Sequence, residues 1–265
     1  MMPRGQKLAL LTIMLLLSWA GVGPLALAEP PNPTPPSRFS TALTVTAPLD
    51  PSAAWSSPES EYSRCLAWGD VDNDGDLDLA VADFNRLRLY ENVGGNLSPD
   101  PVWTSDFVAF GVSLDWGDWD GDGDLDLAVG GGMGTAQPNL VFENNGGTLT
   151  LLSVWVSSEA DDTWEVAWGD WDGDGDLDLA AGNNGPNRVY ENTGAGLNTV
   201  AAWSSAETDR SIGIAWGDYD NDSDLDLASA NFAQPNRVHA NAAGPIPFTS
   251  CLLYTSDAAD EGLGV

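Results

Sequence analysis

Four nonapeptides constrain this chain more than any other feature: DVDNDGDLD from residue 70, DWDGDGDLD from 118, DWDGDGDLD from 170 and DYDNDSDLD from 218. A carboxylate at every second position is unsuited to an apolar core, because a buried carboxylate must be paired or neutralised. The same spacing suits a cation. A tight loop that presents oxygens from positions 1, 3, 5, 7 and 9 can wrap one hard ion, and calcium takes about six to eight oxygens at flexible geometry.

Each loop therefore carries a candidate Ca2+ site: Asp70, Asp72, Asp74, Asp76 and Asp78; Asp118, Asp120, Asp122, Asp124 and Asp126; Asp170, Asp172, Asp174, Asp176 and Asp178; Asp218, Asp220, Asp222, Asp224 and Asp226. Positions 1, 3, 5 and 9 are expected to ligate through their side chains. Position 7 (Asp76, Asp124, Asp176, Asp224) is expected to offer its backbone carbonyl and leave its carboxylate in water. Position 6 is Gly75, Gly123 and Gly175, where a sharp turn favours a residue without Cβ. Ser223 replaces glycine in the fourth loop, which should be the weakest site. An EF-hand is excluded, since the twelfth position holds Val81, Val129, Ala181 and Ser229 instead of a bidentate glutamate.

A longer unit repeats around each loop. Trp55, Trp103, Trp155 and Trp203 each stand 13 residues before Trp68, Trp116, Trp168 and Trp216, with copies offset by 48, 52 and 48 residues. Periods of this size indicate a solenoid, propeller or array. Within one unit the order is an apolar segment ending in WGD, the acidic loop, a strand such as LDLAVA, a turn, a strand such as NRLRLYEN, and a last strand ending in WSS or WTS. Four short strands per unit make one blade, so the predicted fold class is all-β, a β-propeller with about four four-stranded blades present, part of a larger ring. The Trp-Asp pairs at Trp119 and Trp171 lie inside the acidic loops, which argues against a WD40 blade.

WGDWDGDGDLDLAVG-like segments followed by PNRVYENTG resemble the FG-GAP or VCBS-type repeat of integrin-α-like calcium-binding propellers, over residues 43 to 249. The resemblance implies calcium in the hairpin between the first two strands of each blade. It does not imply one function, because such propellers serve in adhesion, in lectin binding and as appendages of enzymes.

The ends read differently. Arg4 and Lys7 precede an apolar run from Leu8 to Ala20, and Ala26-Leu27-Ala28 is a small-residue cleavage site, so residues 1–28 are expected to be a secretory signal peptide. Residues 29–41 form a Pro-rich spacer, and the propeller repeats occupy 42–249. The segment CLLYTSDAADE from Cys251 to Glu261 resembles a translated sequencing adapter. Residues 250–265 are accordingly expected to be an artefactual tail, the fourth blade to lack its last strand, and Cys65 to be the lone native cysteine.

Composition agrees with export and a cation. The net charge is −31, and 20 of the 40 acidic residues lie in the four loops. Such a field opposes nucleic acid and anionic lipid, and no second apolar run is long enough for membrane insertion. Catalysis finds little support: the single histidine, His239, occupies the strand position of Tyr90, Phe142 and Tyr190, and the identical repetition of the acids suits structure better than one active site. The expected function is a secreted or cell-envelope, calcium-binding, non-enzymatic propeller that binds an extracellular protein or glycan in adhesion. The alternative is the propeller portion of a larger secreted polysaccharide-active enzyme. The connections that vary most between repeats, 57–64, 105–111, 157–165 and 204–211, are the expected docking loops, with Tyr62, Phe107, Phe110, Trp164 and Arg210 as contact residues.

Overall fold

A computed structural model describes residues 52–59, 62–83, 86–106, 111–132, 134–241 and, as backbone, 249–252. The expected signal peptide and spacer, Phe107 and Phe110 lie outside the described residues. Among the described residues every regular element is a strand.

Sixteen strands form four antiparallel sheets, each in sequential order. Blade 1 comprises β1 (Cys65–Gly69), β2 (Asp78–Ala82), β3 (Leu87–Tyr90) and β4 (Trp103–Thr104). Blade 2 comprises β5 (Gly111–Gly117), β6 (Asp126–Gly131), β7 (Gln137–Phe142) and β8 (Trp155–Asp161). Blade 3 has β9 (Thr163–Gly169), β10 (Asp178–Asn183), β11 (Arg188–Tyr190) and β12 (Trp203–Ser204). Blade 4 has β13 (Ser211–Gly217), β14 (Asp226–Asn231), β15 (Arg237–Ala240) and β16 (Thr249–Leu252).

These are the blades of a β-propeller, and their first strands adjoin in series, β1 to β5 to β9 to β13. The second strands explain why the apolar runs are continuous: β6 and β10 are buried along their whole length because both faces meet a neighbouring blade. The core is accordingly three layers between blades. Leu89 and Ala82 of blade 1 meet Leu127 and Phe142 of blade 2. Trp155 and Val141 meet Val166 and Leu179. Trp171 and Val189 meet Ile214 and Leu227.

Two expectations are corrected. The fourth blade has a last strand, because Thr249–Leu252 pairs with β15, Val238 opposite Cys251. An unpaired edge offers its N–H and C=O groups to any extended segment, whatever its side chains. Residues 157–165 are not a loop: β8 runs to Asp161 and β9 begins at Thr163, so only Asp162 separates them.

Candidate metal centres

In every blade the register pairs the residue before the nonapeptide with its ninth: Gly69 with Asp78, Gly117 with Asp126, Gly169 with Asp178 and Gly217 with Asp226. The loop is thus the closed hairpin between the first two strands. Positive φ is needed twice within it. Position 6 has φ of 97° at Gly75, 98° at Gly123, 99° at Gly175 and 80° at Ser223. Position 4 is also left-handed, at Asn73, Gly121, Gly173 and Asn221. Asn and Gly tolerate that region best, so the alternation of Asn and Gly at position 4 was a signal available in the sequence.

The carboxylates hold the turn as well as facing inward. The position-6 N–H donates to the position-1 Oδ2 at 3.1 Å in all four loops. The position-7 N–H donates to the position-5 carboxylate at 2.8 to 3.1 Å. Asp70, Asp72 and Asp78 bring one oxygen each within 4.8 Å of one another, as do Asp118, Asp120 and Asp122, Asp170, Asp172 and Asp178, and Asp218, Asp220 and Asp226. Positions 1, 3, 5 and 9 are therefore represented across the clusters, and position 7 in none.

Position 7 has another task. Asp76 Oδ2 accepts from Gly94 N at 2.6 Å and Asp124 Oδ2 from Gly146 N at 2.7 Å, which caps the turn after the third strand. The expectation that these carboxylates stand in water is corrected for Asp76 and Asp124, each of which meets a backbone N–H of the adjacent hairpin. Position 9 is the most enclosed. Asp78, Asp126, Asp178 and Asp226 are buried, and each accepts the position-2 N–H on Oδ2 and the N–H of an asparagine, Asn92, Asn144, Asn192 or Asn241, on Oδ1.

Those asparagines were not anticipated. Asn144 Nδ2 reaches back to Val71 O of the preceding blade at 2.8 Å, Asn192 to Trp119 O at 2.6 Å and Asn241 to Trp171 O at 2.6 Å. One residue thus joins the ninth carboxylate of its own loop, through its backbone N–H, to the loop before, through its side chain. Its recurrence after Tyr-Glu, Phe-Glu, Tyr-Glu and His-Ala was the signal.

The electrostatics suit a cation. Asp70 Oδ1 and Asp118 Oδ1 are enclosed and accept no hydrogen bond, a costly state for a carboxylate oxygen unless a cation serves it. Burial pushes the carboxyls of Asp126 and Asp178 up to about 7, and burial raises those of Asp78, Asp120 and Asp172 as well. An all-oxygen donor set, flexible and rich in carboxylate, matches calcium and not a soft metal.

The tryptophans behave as inter-blade packing with one exception. Trp116, Trp168 and Trp216 lie over Gly69, Gly117 and Gly169, where an added Cβ would come within 2.9 Å, 2.7 Å and 2.6 Å of the rings. Their indole N–H groups donate to Ala67 O, Asp115 O and Ala167 O. Trp68 instead is 51% exposed, and among the described residues no blade lies before it. At position 2, Val71 and Trp171 are buried between blades and Trp119 is partly so, whereas Tyr219 is 48% exposed. His239 is buried against Trp203, ring centroids 5.1 Å apart, with burial lowering its pKa, as a strand residue should be.

On the opposite end of the blades, Arg210 is stacked between Trp164 and Phe232, its guanidinium carbon 4.4 Å and 4.9 Å from the ring centroids. Tyr62 is exposed. Phe232, on the turn after β14, was not anticipated.

The FG-GAP-like repeat family matches residues 70–129, 131–181 and 170–229, more than half of the chain. The chain is an FG-GAP-like repeat protein. Each match begins or ends within a blade, as expected if the family unit is cut across the acidic hairpin. No curated protein matches this FG-GAP-like chain. Among solved structures it is similar to BBS1N in its complex with ARL6DN (14% identity, TM-score 0.48, 71% of this chain and 55% of that one). It is also similar to an Agrocybe aegerita lectin that recognises non-reducing terminal N-acetylglucosamine (17%, 0.45, 73% and 53%). A third is the V. cholerae biofilm matrix protein Bap1 (13%, 0.44, 69% and 30%). The FG-GAP-like chain spans about half the length of the first two and less of the third.

Proposed function

We propose that this is a secreted, calcium-stabilised β-propeller that binds an extracellular protein or glycan and performs no catalysis of its own. The observation that carries the calcium reading is the unpartnered, enclosed Oδ1 of Asp70 and Asp118 inside a cluster of carboxylates. The side-chain ligands are positions 1, 3, 5 and 9, with the backbone carbonyl of position 7. Calcium bound there neutralises acids that would otherwise repel across the hairpin, and it pins two strands whose ninth residue is linked, through an asparagine, to the preceding blade. Export is supported by the sequence of residues 1–28 alone.

Binding without catalysis is supported by two features. The acids recur in every repeat as scaffold, and His239 is stacked inside a blade and not available as a base. Arg210, Trp164 and Phe232 offer a rigid aromatic and cationic platform away from the calcium loops, of the kind enriched where partners dock. Calorimetric titration tests both parts. Calcium added to chelator-treated protein should bind at several sites with dissociation constants on the order of 10⁻⁴ to 10⁻³ M and raise the melting temperature. Melting that ignores calcium would end the metal reading. Phe232→Ala with Arg210→Ala should abolish binding to a glycan or matrix-protein panel and leave calcium-dependent melting unchanged. Binding that survives this pair and is lost in Trp119→Ala would move the docking site to the calcium end.

A further inference from the structure

In a chain of net charge −31, an arginine with no acid beside it is out of keeping with its surroundings. The arginines of the third strands follow the charge: Arg88 is held by Asp83 and Glu59, Arg188 by Asp161, and Arg237 by Asp209 and Glu207. Arg210 has no ion-pair partner among the described residues. Its guanidinium carbon lies 4.4 Å from the ring centroid of Trp164 and 4.9 Å from that of Phe232, and its enclosed Nε donates to nothing. The rings stabilise the cation through their π faces and accept no N–H in its plane. What the stacked guanidinium offers a partner is therefore its terminal N–H fork, whose geometry matches the two oxygens of a carboxylate.

The backbone holds this pose at a cost to itself. Arg210 N donates to Gln234 Oε1 at 2.7 Å, and Phe232 N donates to Arg210 O at 2.8 Å, so the turn after β14 is tied to residue 210 twice. Between Phe232 and Gln234 stands Ala233 with a φ of 57°, in the left-handed region that a residue with a Cβ enters under strain. The other non-glycine residues of positive φ, Asn73, Asn221 and Ser223, all lie in the acidic loops. Strain of this kind persists where the surrounding structure enforces it, and it gathers at binding sites. Two exposed amides flank the guanidinium. Gln234 uses its Oε1 on Arg210 N and keeps its N–H groups free, and Asn184, bridged to Arg210, uses its Nδ2 on Asp162 and keeps its Oδ1 free.

We infer that Arg210 is the binding group of a subsite for an acidic sugar, a ring that carries one carboxylate, as a uronic acid does. This rests on the proposed reading that this end of the blades docks an extracellular ligand, and it narrows that ligand to a chemical class. The carboxylate takes the guanidinium fork in a bidentate pair. The spare donors of Gln234 and the spare acceptor of Asn184 serve hydroxyl groups, and the apolar edge of the sugar rests on Phe232, which is 57% exposed. Neutral amides around the cation suit a hydroxylated ring, whereas an acidic side chain of a protein would use the fork alone. Charge complementarity is local to the fork. The field of the whole chain opposes a polyanion, so a single carboxylate at a glycan end is favoured over a polyuronate.

Saturation-transfer NMR and calorimetry on the full chain test this, in calcium and at about 0.15 M salt, where a Debye length of about 8 Å screens the distant acids. The probes are glucuronic acid, glucose and N-acetyl-aspartate amide. Glucuronic acid should bind, and the other two should bind more weakly by roughly tenfold or more, since each lacks either the charge-assisted pair or the hydroxyl contacts. Arg210→Gln should remove that preference, and Arg210→Lys should recover part of it, because an ammonium keeps the charge and loses the fork. Calcium-dependent melting checks that each variant folds; if Arg210→Gln melts lower than the parent, Arg210→Lys carries the test, and an unchanged preference in it would overturn the inference. Glucose bound as well as glucuronic acid would overturn the acidic class and keep glycan docking. N-acetyl-aspartate amide bound as well would assign the fork to a protein carboxylate and overturn the sugar. Binding of none of the three would overturn this inference alone, because docking itself is decided by the Phe232→Ala and Arg210→Ala pair on the wider panel.

Discussion

The third and fourth repeats carry nearly the same nine residues and sit in different surroundings. In the third, Trp216 covers Gly169, Trp171 is buried under blade 4 and Gly175 makes the left-handed turn. In the fourth, Gly217 is uncovered, Tyr219 is half-exposed and Ser223 is forced to a φ of 80°. The loops respond. In the third, Asp174 N donates to Asp172 at position 3 and Gly173 N to Asp170 Oδ1 at position 1, whereas in the fourth it is Asp222 N that donates to Asp218 Oδ1. The setting of an acidic loop is thus a property of two adjacent blades as well as of its own carboxylates.

The contrast is broken most directly at the junction. Trp216→Ala should cost about 3–5 kcal/mol, a large aromatic truncation at a packed site. Trp68→Ala, its uncovered counterpart, should stay within about 0.5 kcal/mol. Urea denaturation in calcium checks both, and equal costs would mean the blade-1 face is not open.

The next effect separates two acids of one loop. Asp178→Ala leaves the N–H groups of Trp171 and Asn192 without their acceptor, about 1–3 kcal/mol for each buried group, and removes a proposed ligand. Asp176→Ala removes no side-chain ligand and should alter calcium affinity far less than Asp174→Ala. Calorimetry on the three variants decides the register, and a loss at Asp176 equal to that at Asp174 would overturn it.

Proton binding should follow the same enclosed carboxyls. The folded, metal-free carboxyls of Asp126 and Asp178 titrate near 7, above an ordinary aspartate, so the folded state holds protons the unfolded chain has released. Metal-free stability should therefore be greatest below about pH 4 as far as these two groups go, and fall as pH rises from there to about 7. Calcium should remove that fall, because it binds the ionised form. Thermal melts across this range, with chelator and with calcium, provide the check; a chelated protein that gains stability from these groups toward neutral pH would contradict the burial.

The smallest effect tests the turn. Ser223→Gly should stabilise the fourth repeat by about 1 kcal/mol and tighten its calcium site, and Gly175→Ser should do the reverse in the third. If Ser223→Gly changed neither, the strain would not be what distinguishes the fourth loop.

Much of this was legible along the chain because it is local. The period, the four strands per unit and the hairpin position of the acidic loops all follow from spacings shorter than one blade. His239 could be placed in a strand because its three counterparts are aromatic. What lay beyond reach involves partners in another turn or another blade: Asn144 on Val71, Trp168 on Gly117, Phe232 beside Arg210.

The sequence by itself determined a repeating, acid-lined hairpin and the strands that flank it, since carboxylate spacing and apolar period act within a few residues. Only the tertiary structure decided which tryptophan is core and which is surface, which carboxylate caps a turn, and which loop is strained. Trp68 and Trp168 stand in the same local sequence, and they differ because, among the described residues, Trp168 has a blade before it and Trp68 has none. Burial is set by neighbours in space, and in a stacked array the neighbour of a residue is the blade beside it.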